Sequence, residues 1–219
     1  MALHPFDAAI FDMDGTITDN MRLHTEAFVI FGARYNLKHP PPEVAASLSG
    51  KRNREILPVL FGRELTDEEI ERYAEEKERI YHELMASIVP VPGLLQVLDR
   101  LDARGIPYGL ATSAPRINVE PMLRVLGLEG RFASLTLGDE VAHGKPAPDI
   151  FLEAARRLGV APERCLVFED AYSGVAAAKA AGMQCVALAT THTADELRAN
   201  TQADLVVRDY EELLAISPL

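Results

Sequence analysis

A parallel α/β domain carrying an all-helical insert is the fold this sequence predicts, on three observations. Short unbroken apolar runs occur at Ala8–Phe11, 106–111, Ser134–Leu137, 165–168, Gln184–Leu188 and, more weakly, Leu205–Val207. From Val89 onward these runs alternate with helix-patterned stretches, the pattern of βα units. Between about residues 20 and 87 only helical patterns are found.

Taken in order, the first run ends in Asp-Met-Asp-Gly, as a buried parallel strand ends in a polar loop. Helical spacing then places Leu23, Ala27, Ile30 and Phe31 on one face, and Ile70, Tyr73, Lys77, Ile80, Tyr81 and Leu84 on another. Breaks are expected at His39-Pro40-Pro41-Pro42, Gly50 and Gly62. Val89-Pro90-Val91-Pro92 reads as the return linker, because proline limits chain freedom. The predicted division is therefore residues 1–17 with 91–219 as the α/β core, and 18–90 as the helical insert.

A formal charge of −11 argues against binding nucleic acid, whose backbone is held by Lys and Arg. The acidic stretch Asp67, Glu68, Glu69, Glu71, Glu75, Glu76 and Glu78, with Lys77 and Arg79 interspersed, reads as a solvated helix face. No apolar run is long enough to cross a bilayer and no secretory signal is visible, so neither membrane insertion nor export is expected. Cys165 and Cys185 each lie in a strand-like run, where a thiol acts as a small hydrophobe; two such thiols fit a reducing cytoplasm better than a disulfide scaffold.

Ligands of open parallel sheets bind beyond the carboxyl ends of the strands, so the residues that close each strand belong together. Here these are Asp12 and Asp14, then Thr112 and Ser113, then Glu169 and Asp170, with Lys145 in the loop HGKPAP. Four carboxylates on one edge would repel each other unless a cation sat among them. All-oxygen ligands favour Mg²⁺ over Zn²⁺, and Asp12 with Asp170 would form such a site. Asp12 and Asp14, two residues apart on an extended segment, could divide nucleophilic attack from proton transfer. Lys145, the Thr112 hydroxyl and the Ser113-Ala114 amides ahead of Pro115 would then balance the charge of a transferring phosphoryl group.

FDMDGT at 11–16, Thr112 after YGLA, Lys145 in GKPAPDIF, and FED with AYSGVAAAKAAGM at 168–183 resemble the four ordered motifs of the haloacid dehalogenase superfamily. The insert is similar to the helical cap of its beta-phosphoglucomutase-like branch. The resemblance implies a Rossmann-like core under a mobile lid. It also implies Asp12 as nucleophile and metal ligand, and Asp14 as general acid and base that ligates metal through its carbonyl. Thr112 and Lys145 would hold the phosphoryl group, Asp170 would ligate Mg²⁺, and Glu169 would orient metal-bound water. Ala171 stands where many relatives have Ser, and Ala114-Pro115 where mutases carry Ser-Lys.

His24, near the cap hinge, and Arg52 and Arg54, in the basic knot GKRNR, are candidates to meet substrate alongside Ser113. The segment Thr190-Thr191-His192-Thr193 reads as structural. The expectation is a cytoplasmic, monomeric, Mg²⁺-dependent phosphatase of a small phosphorylated metabolite, working through an aspartyl-phosphate. A sugar phosphomutase and a catalytically silent binder are the alternatives.

Overall fold

The computed structural model describes residues 3–38, 48, 50–85 and 88–217. The break expected at His39-Pro40-Pro41-Pro42 and the end of the helical stretch at 87 lie outside the described residues. The element order is β1 (Ala8–Phe11), α1 (Met21–Arg34), α2 (Asn53–Phe61), α3 (Asp67–Leu84), α4 (Leu94–Ala103), β2 (Tyr108–Thr112), α5 (Arg116–Val125) and β3 (Ser134–Leu137). It continues with α6 (Asp149–Leu158), β4 (Cys165–Glu169), α7 (Tyr172–Ala180), β5 (Gln184–Leu188), α8 (Ala194–Asn200), β6 (Leu205–Val207) and α9 (Tyr210–Ile216).

All six strands run parallel in the order β3-β2-β1-β4-β5-β6. The predicted α/β class therefore holds. The second strand starts two residues later than the sequence suggests. Pro107 has no N–H for the ladder, and the Ile106 N–H is taken by Leu101 O at the end of α4.

Both faces of the sheet are covered, which is why its strands are apolar throughout. Ala9 and Phe11 of β1, with Leu166 and Phe168 of β4, face one core completed by α4, α5 and α9. Ala8, Ile10, Cys165 and Val167 face the other, where alanines of α6 and α7 allow close helix approach. Phe11 lies at the centre of the first core, stacked on Phe168 at 4.6 Å and edge-on to Tyr108 and Phe132.

Helices α1, α2 and α3 form a separate layer over the carboxyl edge of the sheet. Ala27 and Phe31 of α1 are buried against Tyr73, Ile80 and Tyr81 of α3, on the faces that periodicity predicts. Gly62 ends α2 in the left-handed conformation (φ 65°). Where the chain enters and leaves this layer it bonds to itself: the Thr18 hydroxyl donates to Val89 O (2.8 Å), and the Val91 N–H to Ile17 O (3.0 Å).

The solvated-face reading of α3 is right for Asp67, Glu68, Glu71 and Glu75 and wrong at its end. Lys77 and Glu78 are buried, 2% and 3% exposed, because α3 turns this pair toward the sheet rather than toward water.

Candidate active site

The strand order reverses between β1 and β4, and their carboxyl ends open the crevice in which ligands of such sheets bind. The ladder runs past Phe11↔Phe168, with the Asp12 N–H donating to Phe168 O at 3.0 Å, so Asp12 lies beside Glu169 and Asp170. Carboxylate oxygens of Asp12, Glu169 and Asp170 lie within 4.8 Å of one another, and all three residues are buried.

Lys145 is drawn into this cluster and is fully buried. Its Nζ donates to Asp12 Oδ1 at 2.5 Å and to Glu169 Oε1 at 2.6 Å. The other Glu169 oxygen accepts the Asp170 and Ala171 N–H groups at 2.7 and 2.8 Å. That geometry needs Gly174, since a Cβ there would overlap the Glu169 carboxylate. Gly15 turns the chain after Asp14 with φ 82°, and a side chain there would strike Asp170.

Burial pushes the Asp12 carboxyl up to about 8; Lys145 opposes that shift and Glu169 adds to it. Burial, with Glu169 and Asp12 beside it, pushes Asp170 well above the usual carboxylate range. Burial alone would depress Lys145, but the two carboxylates it bridges raise it, so it stays an ammonium. With all three carboxylates ionised, one ammonium would leave two negative charges uncompensated. A divalent cation with oxygen preference suits such a donor set.

Asp14 points the other way, toward the helical layer. Its Oδ1 accepts from Asn20 Nδ2 at 2.5 Å and meets His24 Nε2 at 3.1 Å. Asn20 precedes α1 without capping it; its side chain spans Asp14 and the Tyr81 hydroxyl instead. His24 stacks on Tyr81 at 3.9 Å, and its Nδ1 is 2.8 Å from Lys77 Nζ. Nδ1 is placed to accept from Lys77 Nζ, which leaves Nε2 as the ring nitrogen that faces Asp14. Burial would raise the Asp14 carboxyl, but His24, Asn20 and Lys77 together bring it below its ordinary value.

Beyond Lys77 the chain of bonds continues to Glu78, whose oxygens accept from Lys77, from Asn53 Nδ2 (2.6 Å) and from Asn118 Nδ2 (2.8 Å). Asn118 belongs to α5, and its amide oxygen also meets His82 Nε2 at 2.7 Å. Two side chains of the helical layer thus grip one residue of the sheet domain.

One cavity between the layers is lined by Asp12, Asp14, Asp170, Thr112 and Ser113 from the sheet side, and by His24, Lys51, Asn53, Lys77 and Glu78 from the helices. Thr112 Oγ1 accepts the Ala114 N–H at 3.0 Å, and the Ser113 hydroxyl donates to Gly50 O at 2.8 Å. Pro115 precedes α5, as its sequence position suggests.

Arg52 and Arg54 are not among the residues that line this cavity. Arg52 pairs with Glu55, one helical turn away, and donates to Gly138 O at 3.1 Å; exposed Arg54 pairs with Asp67 at 3.2 Å. Thr190 and Thr191, in the segment read as structural, reach the acidic edge of the sheet. The Thr191 hydroxyl bonds Asp170 Oδ2, and the Thr190 hydroxyl donates to Gly15 O at 2.5 Å. Sequence reasoning also missed Lys77 and Glu78 as site residues. The apolar face containing Tyr73, Lys77 and Tyr81 was the available signal for Lys77.

The sequence pattern of the haloacid dehalogenase-like hydrolases matches residues 6–182. A phosphorylated carbohydrates phosphatase of Thermotoga maritima is 35% identical over 204 residues, covering 91% of this chain and 92% of that protein. A beta-phosphoglucomutase of Bacillus subtilis is 32% identical over 213 residues, covering 94% and 91%. Among solved structures, a HAD hydrolase of family IA, variant 3, from Entamoeba histolytica superimposes with a TM-score of 0.85 at 31% identity, covering 94% of both chains.

Proposed function

This chain belongs to the haloacid dehalogenase-like hydrolases, and from that premise we propose that it is a phosphatase of a small phosphorylated carbohydrate, working through an aspartyl-phosphate on Asp12. The observation that carries the reading is the placement of two carboxylates in one cavity with different surroundings: Asp12 against Lys145 and two further acids, Asp14 against His24 and Asn20.

Asp12, Asp170 and Glu169 would hold Mg²⁺, Glu169 through an ordered water; when bound, the ion supplies the charge that keeps Asp12 ionised and screens the incoming phosphate. An Asp12 oxygen attacks phosphorus, the bond to the leaving oxygen breaks, and Asp14 gives that oxygen its proton. The approaching phosphate dianion favours the acid form of Asp14 for this step, as any neighbouring like charge does. Asp14 then takes a proton from water as water attacks phosphorus, releasing phosphate and restoring the Asp12 carboxylate. Lys145, the Thr112 hydroxyl and the Ser113-Ala114 backbone balance charge on the phosphoryl group.

Residues 18–90 act as a cap over a core made of 1–17 and 91–219, a division supported by the paired entry and exit of the helical layer. Ser113 and His24 contact the bound substrate or the group beside it, as their place in the cavity suggests. No helix among the described residues is long and apolar enough to cross a membrane, and the free, buried Cys165 and Cys185 support a cytoplasmic setting.

The test is phosphate release from a panel of sugar and polyol monophosphates, with and without Mg²⁺. Hydrolysis of at least one, lost on chelation and in Asp12→Asn, supports the reading; no release from any of them sinks it. A mutase would need a grip for the distal phosphate of its bisphosphate intermediate. Arg116 pairs with Glu120 and Glu140, and Arg52 and Arg54 are engaged as described. With beta-glucose 1-phosphate and a trace of the 1,6-bisphosphate, released phosphate should therefore exceed glucose 6-phosphate. Primer-dependent glucose 6-phosphate formed faster than phosphate would replace the phosphatase reading with the mutase.

A further inference from the structure

The loop after β5 reaches into the carboxylate cluster from the neighbouring strand, and it is held firmly at both ends. At its start the Ala189 N–H donates to Val207 O at 2.8 Å. At its end Thr193 caps α8, accepting the Glu196 N–H, while the Glu196 carboxylate accepts the Thr193 N–H at 2.9 Å. Between these anchors His192 stacks on Tyr172 at 3.9 Å and 10°, which ties the loop to the first turn of α7, directly after Asp170 and Ala171.

Two hydroxyls project from this braced segment, each to one half of the acidic cluster. Thr190 donates to Gly15 O, in the turn that follows Asp12 and Asp14. Thr191 donates to Asp170 Oδ2, and Asp170 is itself only 2% exposed. A carboxylate at the end of a strand can rotate about its own bonds, and its neighbours Asp12 and Glu169 repel it. A hydroxyl fixed on one oxygen stops that rotation and leaves the other oxygen for a cation. Ala171, next in the chain, has no hydroxyl to offer.

We propose that Thr191 is a positioning residue for the cation site: its hydroxyl, carried on the braced 189–193 loop, fixes the Asp170 carboxylate in its ligating orientation. Hydrogen-bond partners that orient metal ligands are commonly worth ten- to a hundredfold in metal affinity. The inference rests on the reading of Asp12 and Asp170 as Mg²⁺ ligands.

The experiment compares the full-length chain with Thr191→Val, which keeps the shape and removes the donor, and Thr191→Ser, which keeps the donor. Mg²⁺ affinity is read from the rise in thermal midpoint with Mg²⁺ concentration, without substrate, so the readout is independent of turnover. Thr191→Val should weaken Mg²⁺ binding about tenfold, and Thr191→Ser should stay within about threefold of wild type. Thr191→Val within twofold of wild type overturns the proposal, and so does equal weakening in Val and Ser variants, which would mean that shape and not the hydroxyl matters. If Thr191→Val does not fold, Thr191→Ala against Thr191→Ser decides by the same criteria. A wild type with no Mg²⁺-dependent rise removes the metal reading and this inference together, whereas a wild type that responds beside an unchanged Val variant removes this inference alone.

Discussion

On the sheet side of the cavity three buried carboxylates share one ammonium, whereas on the helical side Lys77, Glu78 and Asp14 are held in one continuous run of hydrogen bonds. Glu78 accepts from Lys77, Asn53 and Asn118, Lys77 also serves His24, and Asp14 is bonded by His24 and Asn20. The difference separates two uses of buried charge. The helical chain is complete and holds geometry; the strand-end cluster is left short of positive charge, and so is suited to recruit a cation and an anionic substrate.

The strongest way to test that contrast is to remove the nucleophile from the unbalanced side. Asp12→Asn should lower kcat by on the order of 10³-fold or more while preserving the circular dichroism spectrum and phosphate binding. Residual turnover within tenfold of wild type would contradict a covalent role for Asp12. Next in size, chelation should reduce phosphate release to background, with recovery on adding Mg²⁺. Asp170→Ala should weaken Mg²⁺ affinity more than Lys145→Ala does, because only the first removes a ligand.

The balanced side should respond through stability first. Lys77→Met strands Glu78 as a buried unpaired carboxylate and should cost about 3–5 kcal/mol in urea unfolding, most of it recovered in the double variant with Glu78→Gln. A cost below about 1 kcal/mol would mean that the pair is not insulated from water. The smallest effect is expected at Arg54, whose pair with Asp67 is exposed on both sides. Arg54→Ala should leave stability within about 0.5 kcal/mol and kcat/KM within about twofold. A larger loss of kcat/KM would place Arg54 against the substrate.

The contrast also explains what the amino-acid sequence made readable. Asp12, Asp14, Thr112, Glu169 and Asp170 each close an apolar run, so once the sheet is taken as parallel they fall on one edge. The same rule applied to the run ending at Leu188 would have led to Thr190 and Thr191, since β5 neighbours β4. Their hydroxyls offered no charge to draw attention. Lys77 and Glu78 were hidden by composition, as two more charges in a highly charged helix. Their burial depends on α5 supplying Asn118, a contact 40 residues away in sequence. For Arg52 and Arg54 the converse holds: a basic cluster in sequence need not be a basic surface when Glu55 and Asp67 lie within reach.

The paired strands of chain at Thr18 and Val89 have a consequence for how such a protein can change over time. Residues 71 apart in sequence meet through one hydrogen bond, so the whole helical layer is an excursion that departs from and rejoins nearly the same point. Insertions are best tolerated where the two ends already lie together, because the host then needs no rearrangement to accept them. A longer, shorter or rebuilt excursion could be grafted between these two points while β1 keeps its register with β2 and β4. Changes between Thr18 and Val89 could thus remodel one wall of the cavity while the strand-end carboxylates opposite keep their places.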